Sequence, residues 1–393
     1  MESIQSNTIN LSKKKILLRL DLNVPLKNGK ITDTNRIDKI IPTIQFLLKK
    51  NSKIIIISHV GRPKGKKVSS LSLKPICEMI SKKINEKVSF IDKDLKTLSN
   101  KNIFATEKEN IVMLENLRFY EGEEKNNKEF AKKLASFGEI YVNDAFSCSH
   151  RSHASVVEIT SLLPSFSGIQ FNSEINALKK ITSQIEKPIT CIIGGSKIST
   201  KIGVIKNLIK RFDNMIVVGG MANNILKFQG IKIGKSIYEK NCDQIVKEIF
   251  SYSQKFKCKI LIPEDVIIGK NVDGKGSLKS LDKVEENEMI LDIGPTTTEK
   301  INKIIDNSKT VLWNGPAGYF ENSNFEKGSL EIAKKISDNT KKNKIYSVAG
   351  GGDTVAIINK YKMMEDFNFV STAGGAFLEF LEGKVLPGIK ALE

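Results

Sequence analysis

Short runs of isoleucine, valine and leucine recur along this chain between longer stretches of helical period, and that alternation constrains the fold more than any other feature. A short run that is apolar throughout fits a strand buried on both faces, and such strands belong to parallel sheets covered by helices on either side. Strands are predicted near residues 15–20, 53–57, 87–90, 111–114 and 139–142, and again near 188–193, 214–218, 258–262, 309–313, 344–348 and 367–371. Two sets of strands need two cores, and 393 residues, 40% of them hydrophobic, suffice for both. The stretch LLPSFSG (162–168) carries Pro164 and Gly168 and precedes a helical segment reaching about residue 185, so the boundary is expected there. The expected class is α/β: two doubly wound parallel-sheet domains.

Several function classes are excluded or disfavoured. No apolar run approaches the ~18 to 20 residues of a membrane helix, and the amino terminus, MESIQSNTINLSKKK, lacks the apolar centre of a secretory signal. The five cysteines (Cys77, Cys148, Cys191, Cys242, Cys258) are scattered and form no C-x-x-C pair, which speaks against a disulfide framework or zinc site and for a reducing, cytoplasmic setting. The net charge of +18 invites a lysine-rich nucleic-acid-binding reading. That reading needs aromatic platforms or a basic helix, whereas Trp313 is the single tryptophan and no long basic block stands out. No nucleic-acid or membrane partner is expected.

The arginines are more informative than the charge. Only six of the 62 basic residues are arginine (Arg19, Arg36, Arg62, Arg118, Arg151, Arg211), and five of these lie in the first 151 residues with all three histidines, His59, His150 and His153. A guanidinium grips phosphate or carboxylate with a rigid two-point fork that lysine cannot copy. Arg19, Arg62, Arg118 and Arg151 fall at or just beyond the carboxyl ends of predicted strands, where open parallel sheets bind ligands, so an anionic small-molecule site is expected in the first half. The strands of the second half end in glycine instead: GGSK (194–197), GGM (219–221), NGP (314–316), GGGD (350–353) and AGG (373–375). Glycine lets backbone N–H groups approach a polyphosphate at a helix start. Asp353 beside such a loop would repel phosphate unless a cation intervened, and Mg²⁺ is the natural bridge; the alternative is a helix cap by Asp353 or Thr354. Lys197 and Lys201, four apart, are expected on one face of a helix start. GIKIGKS (230–236) mimics a phosphate-binding P-loop, but Gln229 stands where its first glycine must be.

Together these segments resemble the phosphoglycerate kinase family. The matching motifs are RLDLNVPL (19–26), PTI (42–44), SHVGRPKG (58–65), ENLRF (115–119), NDAFS with HRSHAS (143–155), GGSKISTKIGVI (194–205), GGMAN (219–223), LDIGP (291–295), WNGPAGYFE (313–321), GGGDT (350–354), STAGGAFLE (371–379) and LEGKVLPGI (381–389), in order along almost the whole chain. The resemblance implies a monomeric glycolytic and gluconeogenic kinase catalysing ATP + 3-phosphoglycerate ⇌ ADP + 1,3-bisphosphoglycerate with Mg²⁺, its two domains facing each other across a cleft. It implies a phosphoglycerate-binding domain over 1–168, a connecting helix or hinge over 169–185 and a nucleotide-binding domain over 186–375, with 376–393 packing back on the first domain. It implies that Asp21, Asn23, Arg36, His59, Arg62, Arg118 and Arg151 hold phosphoglycerate. Lys201, Glu321, Gly350, Gly351, Gly352, Asp353 and Thr354 would hold the nucleotide, Asp353 the metal and Glu321 the ribose. Arg36, Lys197, Gly352 and Gly375 fall at catalytic positions, with Arg36 and Lys197 as the cations that meet the phosphoryl group in flight. An acyl-phosphate kinase for another small acid would share the glycine loops but not the arginine set. The acceptor is a carboxylate, ionised at pH 7, so the histidines are expected to bind or pack rather than shuttle protons. Transfer between ligands on two domains implies closure about the connecting segment. Three residues depart from the usual family pattern: Ala373 replaces a glycine and is harmless only if its φ is negative, and Ser196 and Asn224 stand where alanine and threonine are common.

Overall fold

The computed structural model describes every residue of the chain except 7, 28 and 107. The backbone falls into two compact units, one comprising Met1–Asn176 with Val385–Glu393, the other Ala177–Lys384. The first crossing between them, after Asn176, lies within one helix, and the second, after Lys384, lies between helices.

The first unit is built from β1 (Lys15–Leu20), a small hairpin of β2 (Leu26–Lys27) and β3 (Lys30–Ile31), α1 (Asn35–Lys49), β4 (Lys53–Ile57), α2 (Lys74–Ile84), β5 (Val88–Ile91), β6 (Ile111–Leu114), α3 (Glu121–Glu124), α4 (Lys128–Ala135), β7 (Ile140–Asp144), β8 (Ser165–Ser167) and the start of α5 (Ile169–Thr182). Its six-stranded sheet has the order β5-β6-β4-β1-β7-β8, and every pairing in it is parallel. Alternate residues of each strand serve opposite faces. Ile16, Leu18, Leu20, Ile54 and Ile56 pack under α1 and α2, against Ile40, Ile44 and Ile76. Leu17, Ile55, Ile57, Val112 and Tyr141 form the other face with Leu134 and Phe137. Both faces are covered, which is why these strands read as unbroken apolar runs. The short edge strand β8 lies in the stretch read from sequence as a linker; two serines in three residues carry no strand signal, and its pairing comes from β7, Tyr141 opposite Ser165.

The second unit contains β9 (Ile189–Ile193), α6 (Ile202–Ile209), β10 (Asn214–Val217), α7 (Gly219–Phe228), α8 (Asp243–Phe256), β11 (Lys259–Leu261), β12 (Asp265–Gly269), β13 (Ser277–Ser280), β14 (Met289–Ile293), α9 (Pro295–Asp306), β15 (Thr310–Asn314), α10 (Lys327–Lys341), β16 (Tyr346–Gly350), α11 (Gly352–Lys360), β17 (Phe369–Ser371) and α12 (Gly375–Leu381). Its main sheet, β11-β10-β9-β15-β16-β17, is also parallel. Strand order reverses between β9 and β15, so the loops after these two strands diverge and leave a crevice at their carboxyl ends. An antiparallel sheet, β13-β12-β14, is a feature the sequence reading missed. β13 is largely exposed, and the apolar runs of β12 and β14 are only three residues long, cut short by Gly269 and Asp292, so they are too brief to register. The carboxyl-terminal α13 (Pro387–Lys390) belongs to the first unit, where Gly388 N–H donates to the Ser149 carbonyl at 2.8 Å. Among the described residues no helix is long and apolar enough to cross a membrane.

Candidate active site

In the first unit the arginine-bearing loops are tied to one another by hydrogen bonds. Arg36, in the first turn of α1, donates from Nη1 to both carboxylate oxygens of Asp21 just beyond β1, at 2.8 Å each. Asn23 Oδ1 accepts from Gly61 N–H at 2.9 Å, joining the β1 loop to the loop after β4 that carries Arg62. Arg118 Nη1 donates to the Gly61 carbonyl at 2.8 Å, joining the β6 loop to the same turn. Arg62 and Arg151 are exposed, whereas His59 and Arg118 are 3% and 7% exposed.

Arg19 behaves differently from the arginine expected at a strand end. It lies within β1, is fully buried, and turns inward. Its Nε donates to Ser155 Oγ at 2.9 Å and its Nη2 to His59 Nδ1 at 2.8 Å. An arginine can only donate, so His59 Nδ1 must accept and the ring proton must sit on Nε2. Burial and the charges of Arg19 and Arg118 push the His59 imidazolium well below the usual histidine range. Burial, with Arg118 and Arg19 nearby, likewise pushes His153 down to about 3. Both rings are neutral at pH 7, consistent with binding or packing rather than proton transfer.

The second unit gathers its glycine loops around a cleft of about 400 Å³, lined by Gly195, Gly219, Gly220, Pro316, Glu321 and Asp353 among others. The backbones pack too closely for side chains: a Cβ on Gly315, whose φ is +105°, would stand 2.3 Å from the Gly194 carbonyl oxygen. Buried Trp313 secures that turn, donating from Nε1 to the Gly315 carbonyl at 2.9 Å. Asn314 joins three loops, accepting from Lys201 Nζ at 2.7 Å and donating from Nδ2 to the Gly350 carbonyl at 2.6 Å. Lys201 Nζ also donates to the Gly194 carbonyl at 2.7 Å, and its burial pushes the ammonium down to about 8. Gly352 opens α11, and a Cβ there would meet nothing within 4 Å. Nothing inside the protein demands a glycine at that position. Gly375 opens α12 behind Gly374, whose φ is +55°.

Several expectations change. Lys197 and Lys201 do not share a helix face: Lys197 is an exposed loop residue, and Lys201 ends a single 3₁₀ turn (Ser199–Lys201) before α6 begins, half-buried and bonded inward. Neither Asp353 nor Thr354 caps α11, since the cap position is Gly351. Thr354 is buried with its hydroxyl accepting from Gly315 N–H at 2.7 Å, while Asp353 is exposed at the cleft. Asn224 is 5% exposed and ties α7 to the segment that follows it, accepting from Glu239 N–H at 2.9 Å while donating within its own helix to the Gly220 carbonyl at 3.2 Å. The P-loop mimic at 230–236 follows helix α7 rather than a strand. The LDIGP motif gains a local reason: the Asp292 carboxylate accepts from Ile293 and Gly328 N–H at 2.9 and 2.7 Å, and a Cβ on Gly318 would strike it at 2.4 Å.

Ala373 is 4% exposed and is not among the described residues of positive φ; Gly374 makes the left-handed turn. Its methyl is therefore accommodated without strain. Ala373→Gly is expected to change turnover by less than about threefold and stability by less than about 1 kcal/mol. A large gain in activity on restoring glycine would contradict this.

Comparison with known proteins agrees with this architecture. The phosphoglycerate kinase family model matches residues 6–384. A phosphoglycerate kinase of Wolbachia sp. subsp. Drosophila simulans (strain wRi) is 46% identical over 385 residues, covering 98% of this chain and 96% of that protein. One from Brucella melitensis biotype 1 is 41% identical over 386 residues, 98% of each. The solved phosphoglycerate kinase of Coxiella burnetii superposes with a TM-score of 0.89 at 39% identity, covering 99% of this chain and 98% of that one. That of Pyrococcus horikoshii OT3 gives 0.85 at 29% identity, covering 100% and 98%. A family match across nearly the whole length, on the same two-sheet fold, means that this chain belongs to the phosphoglycerate kinase family.

Proposed function

We propose that the two sets of loops divide the substrates between them: the arginine-bearing loops of the first unit take 3-phosphoglycerate or 1,3-bisphosphoglycerate, and the glycine loops of the second take ADP or ATP. The chain is a glycolytic kinase that moves a phosphoryl group reversibly between 1,3-bisphosphoglycerate and ADP. The observation that carries the division is chemical: guanidinium forks are concentrated in the first unit, and glycine-opened helices surround the cleft of the second. Forks suit a compact acid bearing carboxylate and phosphate, while converging backbone N–H groups suit a polyphosphate.

On this reading Asp21, Asn23, Arg36, His59, Arg62, Arg118 and Arg151 hold phosphoglycerate. His59 takes part as a neutral donor through Nε2, because Arg19 occupies Nδ1. Lys201, Glu321 and residues 350–354 hold the nucleotide, with Thr354 acting from below by fixing the Gly315 turn. Arg36, Lys197, Gly352 and Gly375 act nearest the transferred group. Its charge is spread over three oxygens, so catalysis is mainly positioning and neutralisation, and the carboxylate acceptor needs no general base. Asp353 is suited to Mg²⁺: it is an exposed carboxylate at the cleft, unused as a cap, and Mg²⁺ typically binds through one or two carboxylates plus phosphate oxygens and water. When bound with nucleotide the ion neutralises charge on the phosphate oxygens. A monomer acting in the cytoplasm without nucleic-acid partners completes the reading.

A spectrophotometric assay with ATP and 3-phosphoglycerate, coupled to reduction of 1,3-bisphosphoglycerate, tests the activity directly. Asp353→Ala tests the division of sites: it is expected to weaken binding of the Mg²⁺-nucleotide about tenfold or more while leaving 3-phosphoglycerate affinity within about twofold. Titrations giving the reverse pattern would mean that the ligands had been assigned to the wrong units.

A further inference from the structure

We propose that Glu239, which lies outside every motif described above, is a positioning residue for the lysine loop, holding the segment between Lys197 and Lys201 in its working shape; this rests on the reading of those two lysines given under the proposed function. Ser199 stands midway between them and opens the 3₁₀ turn that ends at Lys201. Both polar groups of Ser199 are spent on one carboxylate: its N–H donates to Glu239 Oε2 at 2.9 Å and its hydroxyl to Glu239 Oε1 at 2.5 Å. Glu239 is itself anchored, its N–H donating to Asn224 Oδ1 at 2.9 Å, and Asn224 donates onward to the Gly220 carbonyl at 3.2 Å. The lysine loop after β9 is thus tied to α7 through the Glu239 carboxylate and the Asn224 amide, beside a direct bond from Met221 N–H to the Gly195 carbonyl at 2.8 Å.

The placement is otherwise hard to explain. A carboxylate close enough to Lys197 to sense its charge weakens the positive field available to an anionic ligand. An orienting role supplies the reason: buried Ile198 and local bonds such as Thr200 Oγ1 to the Lys197 carbonyl at 2.9 Å shape the loop from within, while the two Ser199 bonds engage both oxygens of a carboxylate forty residues away in sequence. Lys197 is exposed and lies outside any helix, so its direction depends on the turn that follows. The Ser199 bonds keep the Glu239 carboxyl below the usual range and therefore ionised, a pure acceptor, at neutral pH. Misplacing cations that meet a transferring group affects the transition state more than ground-state binding.

The test uses purified full-length enzyme and the variants Glu239→Ala, Glu239→Gln, Ser199→Ala, the Glu239→Ala/Ser199→Ala double and, as a reference, Lys197→Ala. Glu239→Ala is expected to lower kcat about tenfold, and Glu239→Gln, which keeps one acceptor, about threefold. The KM for 3-phosphoglycerate should change less than about twofold in both. The double variant should be no slower than Glu239→Ala alone, because both changes remove the same bonds. Wild-type kcat in the Glu239 variants with only a lowered melting temperature would overturn the proposal, as would additive losses in the double. Should Glu239→Ala fail to fold, Glu239→Gln and Ser199→Ala decide by the same criteria. Lys197→Ala separates the two levels. If it is crippled while the Glu239 variants turn over normally, the positioning role is wrong; if it turns over normally, the lysine reading itself fails and the proposal falls with it.

Discussion

Arg36→Lys is expected to lower turnover at least about tenfold, on the order of 1.4 kcal/mol of barrier, with little change in the KM for 3-phosphoglycerate. Arg36 is oriented from below, its Nη1 shared between the two oxygens of Asp21, so the plane of the guanidinium is set before any ligand arrives. Lysine would keep the charge but lose the plane and the fork, and with them the match to oxygens whose charge grows during transfer. Steady-state kinetics in the coupled assay measure the effect. Turnover within about twofold of wild type would remove Arg36 from the catalytic set.

The second large effect is expected at Lys201. Lys201→Met should lower kcat/KM for ADP at least about thirtyfold, roughly 2 kcal/mol, by removing a cation from the nucleotide site. It should also lower the melting temperature, because the Gly194 carbonyl and Asn314 Oδ1 each lose a donor, at a cost of about 1 to 3 kcal/mol per buried acceptor left unpaired. The same residue makes ADP binding depend on pH. Burial pushes its ammonium down to about 8, and an arriving polyphosphate favours the charged form and pulls it back up. Affinity should therefore be greatest below about pH 8 and fall as pH rises above it, with net proton uptake on binding in that range. Calorimetric titration in buffers of different ionisation enthalpy measures the uptake. ADP affinity flat from pH 7 to about 9.5 would show that Lys201 carries no such linkage.

Much of the molecule was legible because its signals are local. Strands such as Ile54–Ile57 and Ile111–Leu114 are buried on both faces, so burial itself writes an unbroken apolar run. The glycine loops were legible because a backbone that must pass within van der Waals contact of another, as Gly315 passes Gly194, excludes every other residue. The β12–β14 sheet, whose longest apolar runs are three residues, and the short edge strand β8 were not, since their pairing partners more than their own residues make them strands.

The candidate site divides the same way. Residue type alone determined that the first half offers guanidinium forks, that the second offers glycine-rich loops, and that the cysteines include no C-x-x-C pair, because these are matters of functional-group chemistry and spacing. Which way a given group faces was decided only by the tertiary structure. Arg19 and Arg62 look alike in sequence, yet one is fully buried against His59 and Ser155 and the other is exposed. Lys197 and Lys201 have a spacing that suits one helix face, yet the helix starts after both, and Lys201 is drawn inward by acceptors from residues 194 and 314. Glu239 has no local signature at all, because its meaning comes from Ser199, forty residues away. A side chain's chemistry is written in its identity, but its direction is set by which desolvated partner the folded chain brings within hydrogen-bond reach.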